Sequence, residues 1–118
     1  MKVVINSCYG GFELSDPAFE KLLDRKGIAW EKQINSYKTA HDYYSAGHLG
    51  NEDNYLFFNG LIDDRGDQDL VAVVEELGEA SDGPCAKLKI IDVPDDVKWH
   101  IEEYDGLEWI AEDHRTWE

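Results

Sequence analysis

The clearest hydrophobic pattern along this chain lies at residues 68–80, where it predicts a helix. Its apolar residues are spaced i, i+3, i+4 and i+7 and are Leu70, Val73, Val74 and Leu77. Asp67 precedes the segment and can accept hydrogen bonds from the free amides of a first turn. Gly83 and Pro84 end the pattern. The segment is therefore predicted to be an amphipathic helix whose apolar face lies against a core.

A shorter helix is predicted to begin after Ser15. This serine can cap the first turn, and Pro17 fits there because first-turn amides have no acceptor within the helix. The residues of its apolar stripe are Phe19, Leu22 and Leu23. Gly27 is predicted to end the helix.

Three short apolar runs predict strands, because each is too short for a helix. They are KVVIN at 2–6, NYLFFN at 54–59 and LKIIDV at 88–93. A further strand is compatible with the alternation of Ile28, Trp30 and Ile34. The polar, glycine-containing stretch that follows, through residue 53, is predicted to be loop.

The last third of the chain predicts a β-hairpin. Asp105-Gly106 separates two aromatic and β-branched runs, 97–104 and 107–111, and this dipeptide favours two-residue hairpin turns. Such a turn places Glu103 opposite Glu108, and a like-charge pair disfavours that register.

The predicted order is β-α-β-α-β-β-β, and it indicates the α+β class. We expect a single domain over residues 1–118, with a mixed or antiparallel sheet, about two helices on one face of it and a C-terminal β-hairpin. A length of 118 residues suits one domain.

Charge is distributed very unevenly. The chain holds 26 acidic and 11 basic residues, and residues 63–118 contain 18 of the acids but only five of the bases. Binding to a nucleic-acid backbone or an anionic membrane requires Lys and Arg, so both are excluded as expected partners. The charge favours a basic partner protein, a cation or simply high solubility, and 42% hydrophobic residues are enough for a folded core.

The location is predicted to be cytoplasmic. No apolar run approaches the ~18 residues of a membrane span, and MKVVINS lacks the apolar stretch of a signal peptide. In that setting Cys8 and Cys85 are expected to be reduced thiols.

One loop could carry ligand chemistry. Cys8, Tyr9, Gly10 and Gly11 lie between a predicted strand and a predicted helix, where backbone amides can cradle a phosphate. The simpler interpretation is a tight turn that requires positive φ at glycine.

No cofactor, metal or catalytic residue is predicted. Asp63, Asp64, Asp67 and Asp69 are close in sequence but do not match a calcium-binding loop. The four histidines lack the spacing of a zinc site. No hydrolase motif is present in the sequence.

Two acidic segments are the main candidate for partner binding. Their residues are Glu75, Glu76, Glu79, Glu102, Glu103, Asp105 and Glu108. Carboxylates at such density can imitate the charge of a nucleic acid, which carries about one negative charge per 1.7 Å of duplex axis. A solvated acidic surface without a partner is the plainer alternative.

Three segments resemble a family of small acidic proteins, without an assigned activity, found mostly in bacteriophages and prophages. They are VVINSCYGGFELS, RGDQDLVAVVEELG and LKIIDVPDDVKWHIEEYDGLEWIAEDHRTW, and the resemblance covers about residues 2–23 and 63–118. Residues 28–60 resemble the variable insert of the family. The resemblance implies a protein that acts in the host cytoplasm against host machinery or defence, including CRISPR effectors.

Our leading hypothesis is a non-enzymatic inhibitor of a basic host protein that binds nucleic acid. The alternative is a nucleotide or small-ligand binding protein that uses the glycine loop with basic residues from elsewhere. The residues of that alternative site are Cys8, Tyr9, Gly10, Gly11, Arg65, His114 and Arg115. The sequence leaves a homodimer open.

Overall fold

The computed structural model describes residues 1–38, 40–62 and 64–113. Within these ranges the chain forms two α-helices and seven strands. In chain order they are β1 (Lys2–Asn6), α1 (Asp16–Arg25), β2 (Trp30–Ile34), β3 (His41–Ser45), β4 (Tyr55–Leu56), α2 (Gln68–Leu77), β5 (Leu88–Asp92), β6 (Trp99–Tyr104) and β7 (Leu107–Glu112). The predicted α+β class is confirmed.

The strands form three separate antiparallel ladders instead of one continuous sheet. β1 pairs with β5, the strands β2, β3 and β4 form a meander, and β6 pairs with β7. The predicted C-terminal hairpin is confirmed, with Glu103 opposite Glu108 as its two-residue turn requires. Asp105 and Gly106 have φ values of 51° and 88°, the two positive values typical of a type I′ turn.

Both predicted helix caps are present. The Ser15 hydroxyl accepts a hydrogen bond from the Ala18 amide at 3.3 Å. The Asp67 carboxylate accepts from the amides of Asp69 and Leu70, at 2.9 and 3.1 Å. These contacts satisfy first-turn donors that have no acceptor within the helix. No helix of the described residues is long and apolar enough to cross a membrane.

The core lies where α1 and α2 pack together against β1. Its central cluster of buried residues consists of Val4, Ala18, Leu22, Leu70, Val71, Val73 and Val74. The predicted apolar stripe of residues 68–80 therefore faces the core. The α-helix ends at Leu77, earlier than predicted, and a 3₁₀ turn over Gly78–Ser81 follows, with Gly78 at φ 56°.

The prediction of loop for residues 41–45 is wrong, because this segment is β3. Tyr43 lies edge-on to Phe19 of α1, with ring centroids 4.9 Å apart, and its hydroxyl donates to Glu20 at 2.7 Å. These contacts with a helix form only in the folded chain. The predicted strand 54–59 is shorter than expected: only Tyr55–Leu56 pairs, at the edge of the meander.

Strand β1 pairs with one strand only, and its other edge is covered by two unrelated segments. The Val4 amide donates to the Arg65 carbonyl at 2.9 Å, and the Asn6 amide donates to the Glu108 carboxylate at 2.8 Å. Residues near α2 and in β7 thus satisfy donors that an edge strand would leave unpaired.

The side chain of Asn6 is fully buried and connects three segments. Its side-chain Nδ2 donates to the backbone carbonyls of Cys8 and Gly106, at 2.7 and 2.8 Å, and its Oδ1 accepts from the backbone amide of Lys87 at 2.9 Å. The glycine loop, the hairpin turn and the approach to β5 are therefore held by one side chain.

Gly106 has no room for a side chain. A Cβ there would lie 2.7 Å from the Gly10 amide nitrogen, against backbone that cannot move freely. We expect Gly106→Ala to lower the free energy of unfolding by about 3 kcal/mol, through backbone strain and overpacking. Urea denaturation measures this loss.

Gly47→Ala is the matched control. Gly47 has φ 85°, close to that of Gly106, and nothing lies within 4 Å of an added Cβ. Gly47→Ala should lower the free energy of unfolding by about 1 kcal/mol, from backbone strain alone. Equal losses for the two variants would contradict the close packing of the turn against the glycine loop.

Candidate functional site

Folding pairs most bases of the first half of the chain with acids. Six described Lys or Arg residues have a carboxylate oxygen within 2.7–3.2 Å. The pairs are Lys2–Glu75, Lys21–Glu76, Arg25–Asp69, Lys26–Asp67 and Asp69, Lys32–Glu20, and Arg65–Glu108. Most of them are solvent-exposed and contribute little stability, but they reduce the free negative charge around the helices.

The first predicted contact group lies on and after α2. Glu75 and Glu76 are exposed, and each is paired with a lysine, at 3.1 and 2.8 Å. Glu79 is exposed in the 3₁₀ turn after the helix. Because two of the three carboxylates each have their own lysine partner, this face carries less unpaired charge than its sequence indicates.

The second group lies on the hairpin, where most carboxylates have no Lys or Arg partner in the described structure. Residues 99–113 contain six acids and no Lys or Arg. Within the described residues, Glu108 is the one hairpin acid with an ion pair to Lys or Arg. The hairpin therefore carries five carboxylates without a Lys or Arg partner in the described structure.

Opposite faces of the hairpin differ in composition. Because side chains alternate along a strand, His100, Glu102, Tyr104 and Trp109 share one face. Tyr104 is 69% exposed and Trp109 is 41% exposed. The Trp109 indole donates to the Glu102 carboxylate at 3.1 Å. We call this the outer face.

The two aromatic residues of the outer face, Tyr104 and Trp109, are not among the residues predicted for partner binding. In the sequence pattern they indicate only strands. The hairpin register was the available signal, because it places both on the face of Glu102 and His100, opposite to Ile101 and Ile110.

His100 lies between two carboxylates on this face. Its Nε2 is 3.0 Å from Glu102, and its Nδ1 contacts Asp113. The hydrogen bonds to Glu102 and then to Asp113 raise the pKa of His100 above its ordinary 6.5, because the imidazolium can donate to both. Protonation of His100 therefore reduces the net charge of the outer face.

Glu108 has a different role from the other hairpin acids. Its side chain is 9% exposed, and its two oxygens accept from Arg65 Nη1 and Nη2, at 2.7 and 3.0 Å. The Arg65 guanidinium also lies over the Phe12 ring, 3.7 Å from its centroid. Since both charges are engaged inside the protein, we leave Glu108 and Arg65 out of any binding surface.

The glycine loop is occupied by the hairpin turn. Gly10 and Gly11 have φ values of 115° and 104°, as the turn interpretation predicts. The Gly10 amide donates to the Asp105 carbonyl at 3.1 Å, so it is not free for a phosphate. The helix α1 begins only at Asp16, beyond the loop.

Among the other residues of the alternative ligand site, Arg65 is engaged by Glu108. Cys8 and Tyr9 are exposed. His114 and Arg115 lie outside the described residues. No group of three or more His, Cys, Asp or Glu side chains that could hold a metal is found between residues 1 and 113, leaving aside residues 39 and 63.

The structure also contains a concave site that the sequence does not predict. It is a cleft of about 240 Å³ between the start of α1, the strand β3 and residues 55–58. Six aromatic side chains contribute to its lining. They come from four separate segments of the chain, so no local motif could have indicated the cleft.

The ion pair of Glu108 with Arg65 gives a stability prediction. Glu108→Gln leaves the largely covered Arg65 without its charge partner, and we expect a loss of about 2 kcal/mol. Glu103→Gln, directly opposite on the ladder and exposed, should change stability by less than about 0.5 kcal/mol. Chemical denaturation compares the two variants, and similar losses would contradict the internal role of Glu108.

A second prediction concerns the pH dependence of stability. The raised pKa of His100 contributes stability that is complete below pH 6.5 and is lost as pH rises through the folded-state value. His100→Gln should therefore be less stable than the parent at about pH 5.5, with the difference narrowing by about pH 7.5. Urea denaturation at both pH values tests this, and parallel profiles would refute it.

Comparison with known proteins finds no matching family model, and neither a curated protein nor a solved structure matches the chain. The resemblance to phage proteins therefore stays a prediction, and the function has to be argued from the residues themselves.

Proposed function

We propose that this protein is an acidic binding protein that docks the outer face of its hairpin on a basic, nucleic-acid-binding partner protein. In the setting that the sequence resemblance favours, the partner is a host protein or an anti-phage defence effector, and binding inhibits it. The protein acts as a charge mimic of nucleic acid.

One observation carries this proposal: exposed aromatic residues stand among carboxylates that have no Lys or Arg partner in the described part of the chain. Tyr104 and Trp109 are large, rigid side chains of the types that supply most energy at protein interfaces. Glu102 lies directly opposite Trp109 and two residues from Tyr104 on the same face, and Asp105 and Asp113 are exposed at the turn and after the end of β7. Aromatic anchors supply affinity, while the carboxylates steer a basic partner and favour it over others.

The way the hairpin is held also supports the proposal. Glu108 is anchored through Arg65, and the turn is held through Asn6 and packed on the glycine loop. A surface that is already rigid loses less conformational freedom when it binds. The outer face is therefore ready to bind without rearrangement.

The proposal predicts a charge effect that depends on position. The triple variant Glu102→Gln, Asp105→Asn, Asp113→Asn removes charge from the outer face and from its two ends, and it should lose the partner that the parent captures from bacterial lysate. The control triple, Glu31→Gln, Glu52→Gln, Asp53→Asn, removes the same number of exposed charges outside the hairpin and should retain it. The captured protein should be released at about 0.5 M salt, where surface charges are screened.

A second readout tests mimicry itself. The captured protein should bind a DNA or RNA duplex, and the parent should displace that duplex while the hairpin triple does not. Equal loss with the two triples would show that net charge alone matters and would overturn the proposal. Capture of nothing, or of a partner that binds duplex and parent together, would also overturn it.

A further inference from the structure

The aromatic cleft has walls suited to a ligand with an apolar surface. Its aromatic residues are Phe12, Phe19, Tyr43, Tyr55, Phe57 and Phe58. Phe12 and Phe58 pack with ring centroids 5.0 Å apart, and Tyr55 stacks on Phe57 at 6.0 Å. At about 240 Å³ the cleft is smaller than sites for drug-sized ligands, so it suits a compact group.

The rim of the cleft leaves apolar area uncovered. Phe57 is 57% exposed and Tyr55 is 40% exposed, although both belong to a cluster of rings. They lie at the edge of the meander, where β4 pairs with one strand only. A ligand seated in the cleft would cover faces that the fold leaves in water.

Two carboxylates lie at the cleft. Glu13 and Asp16 contribute to its lining, and the described lining residues include no Lys or Arg. Asp16 lies 2.7 Å from Nδ1 of His41, which fixes the position of its carboxylate. A cation in the cleft would be attracted both by the negative charge of the carboxylates and by the quadrupoles of the aromatic rings.

From this combination we infer that the cleft binds a compact organic cation of the quaternary ammonium class. The onium group would lie against the aromatic walls, with the carboxylates of Glu13 and Asp16 at the side. Such a group has an apolar shell, so it loses little hydration when it enters an aromatic site. This site is separate from the outer face of the hairpin, and the inference does not depend on the proposed function.

The chain already contains an interaction of this kind at the edge of the cleft. The Arg65 guanidinium lies 3.7 Å from the centroid of Phe12, one of the lining rings. Phe12 therefore accepts a cation within the folded protein. The inferred ligand would use the exposed rings of the same cluster.

Choline and 3,3-dimethyl-1-butanol form the test pair, because they share one shape and differ by the charge. Each is titrated into the full chain while backbone amide shifts are followed by NMR, with sodium chloride holding the ionic strength constant. We expect saturable shifts around the cleft for choline, and affinity about fivefold to tenfold weaker for the neutral alcohol.

Two leucine variants locate the binding. Phe57→Leu keeps apolar bulk but removes one aromatic ring. It should weaken the affinity for choline by about threefold and reduce the difference in affinity between choline and the neutral alcohol. Tyr9→Leu is the control, since Tyr9 has the same 57% exposure but does not line the cleft. Its affinity for choline should equal that of the parent.

Three results would overturn the inference. The first is a choline titration in which no amide shift around the cleft saturates by about 50 mM, a concentration that detects even very weak binding. The second is binding of the neutral alcohol as tight as that of choline, which would make the cleft a purely apolar pocket. Tighter binding of N-acetyl-arginine amide than of choline would reassign the cleft to a guanidinium group.

Discussion

The ion pair between Arg65 and Glu108, together with the buried side chain of Asn6, is the constraint on which the rest of the structure depends. Glu108 accepts from the Asn6 amide and from both guanidinium nitrogens of Arg65, while the Asn6 side chain reaches the glycine loop and the hairpin turn. A buried donor or acceptor without a partner costs more than the net gain of one hydrogen bond. Three segments distant in sequence therefore have to meet at this point, and these contacts fix the hairpin on the edge of β1.

This arrangement also explains how a strongly acidic chain tolerates its charge. The helices bring first-half bases such as Lys2 and Lys21 beside acids of α2, where opposite charges replace repulsion. Arg65 neutralises the one hairpin acid that is largely covered. Acids of the hairpin other than Glu108 have no Lys or Arg partner in the described structure, and they lie at its surface, where water screens them and where they can meet a partner. The hairpin thus combines free negative charge with the exposed rings of Tyr104 and Trp109.

The two surfaces that we assign to binding share a chemistry but differ in shape. The outer face of the hairpin is open and suits the broad surface of a protein. The cleft beside α1 is concave and takes only a compact group. In both, aromatic rings stand next to carboxylates, so each favours a positively charged ligand. The excess of acids in the sequence is consistent with that shared preference.

Local features of this protein followed from the sequence alone. Ser15 and Asp67 cap helices, the apolar stripe of α2 faces the core, and Asp105-Gly106 forms the turn, because each depends on residues close together in the chain. Only the tertiary structure decided that 41–45 is a strand, since Tyr43 is held by a ring and a carboxylate of α1. It alone separated Glu108 from the exposed acids, and it alone assembled the cleft. Those outcomes depend on partners many residues away, and spacing along a chain carries no record of them.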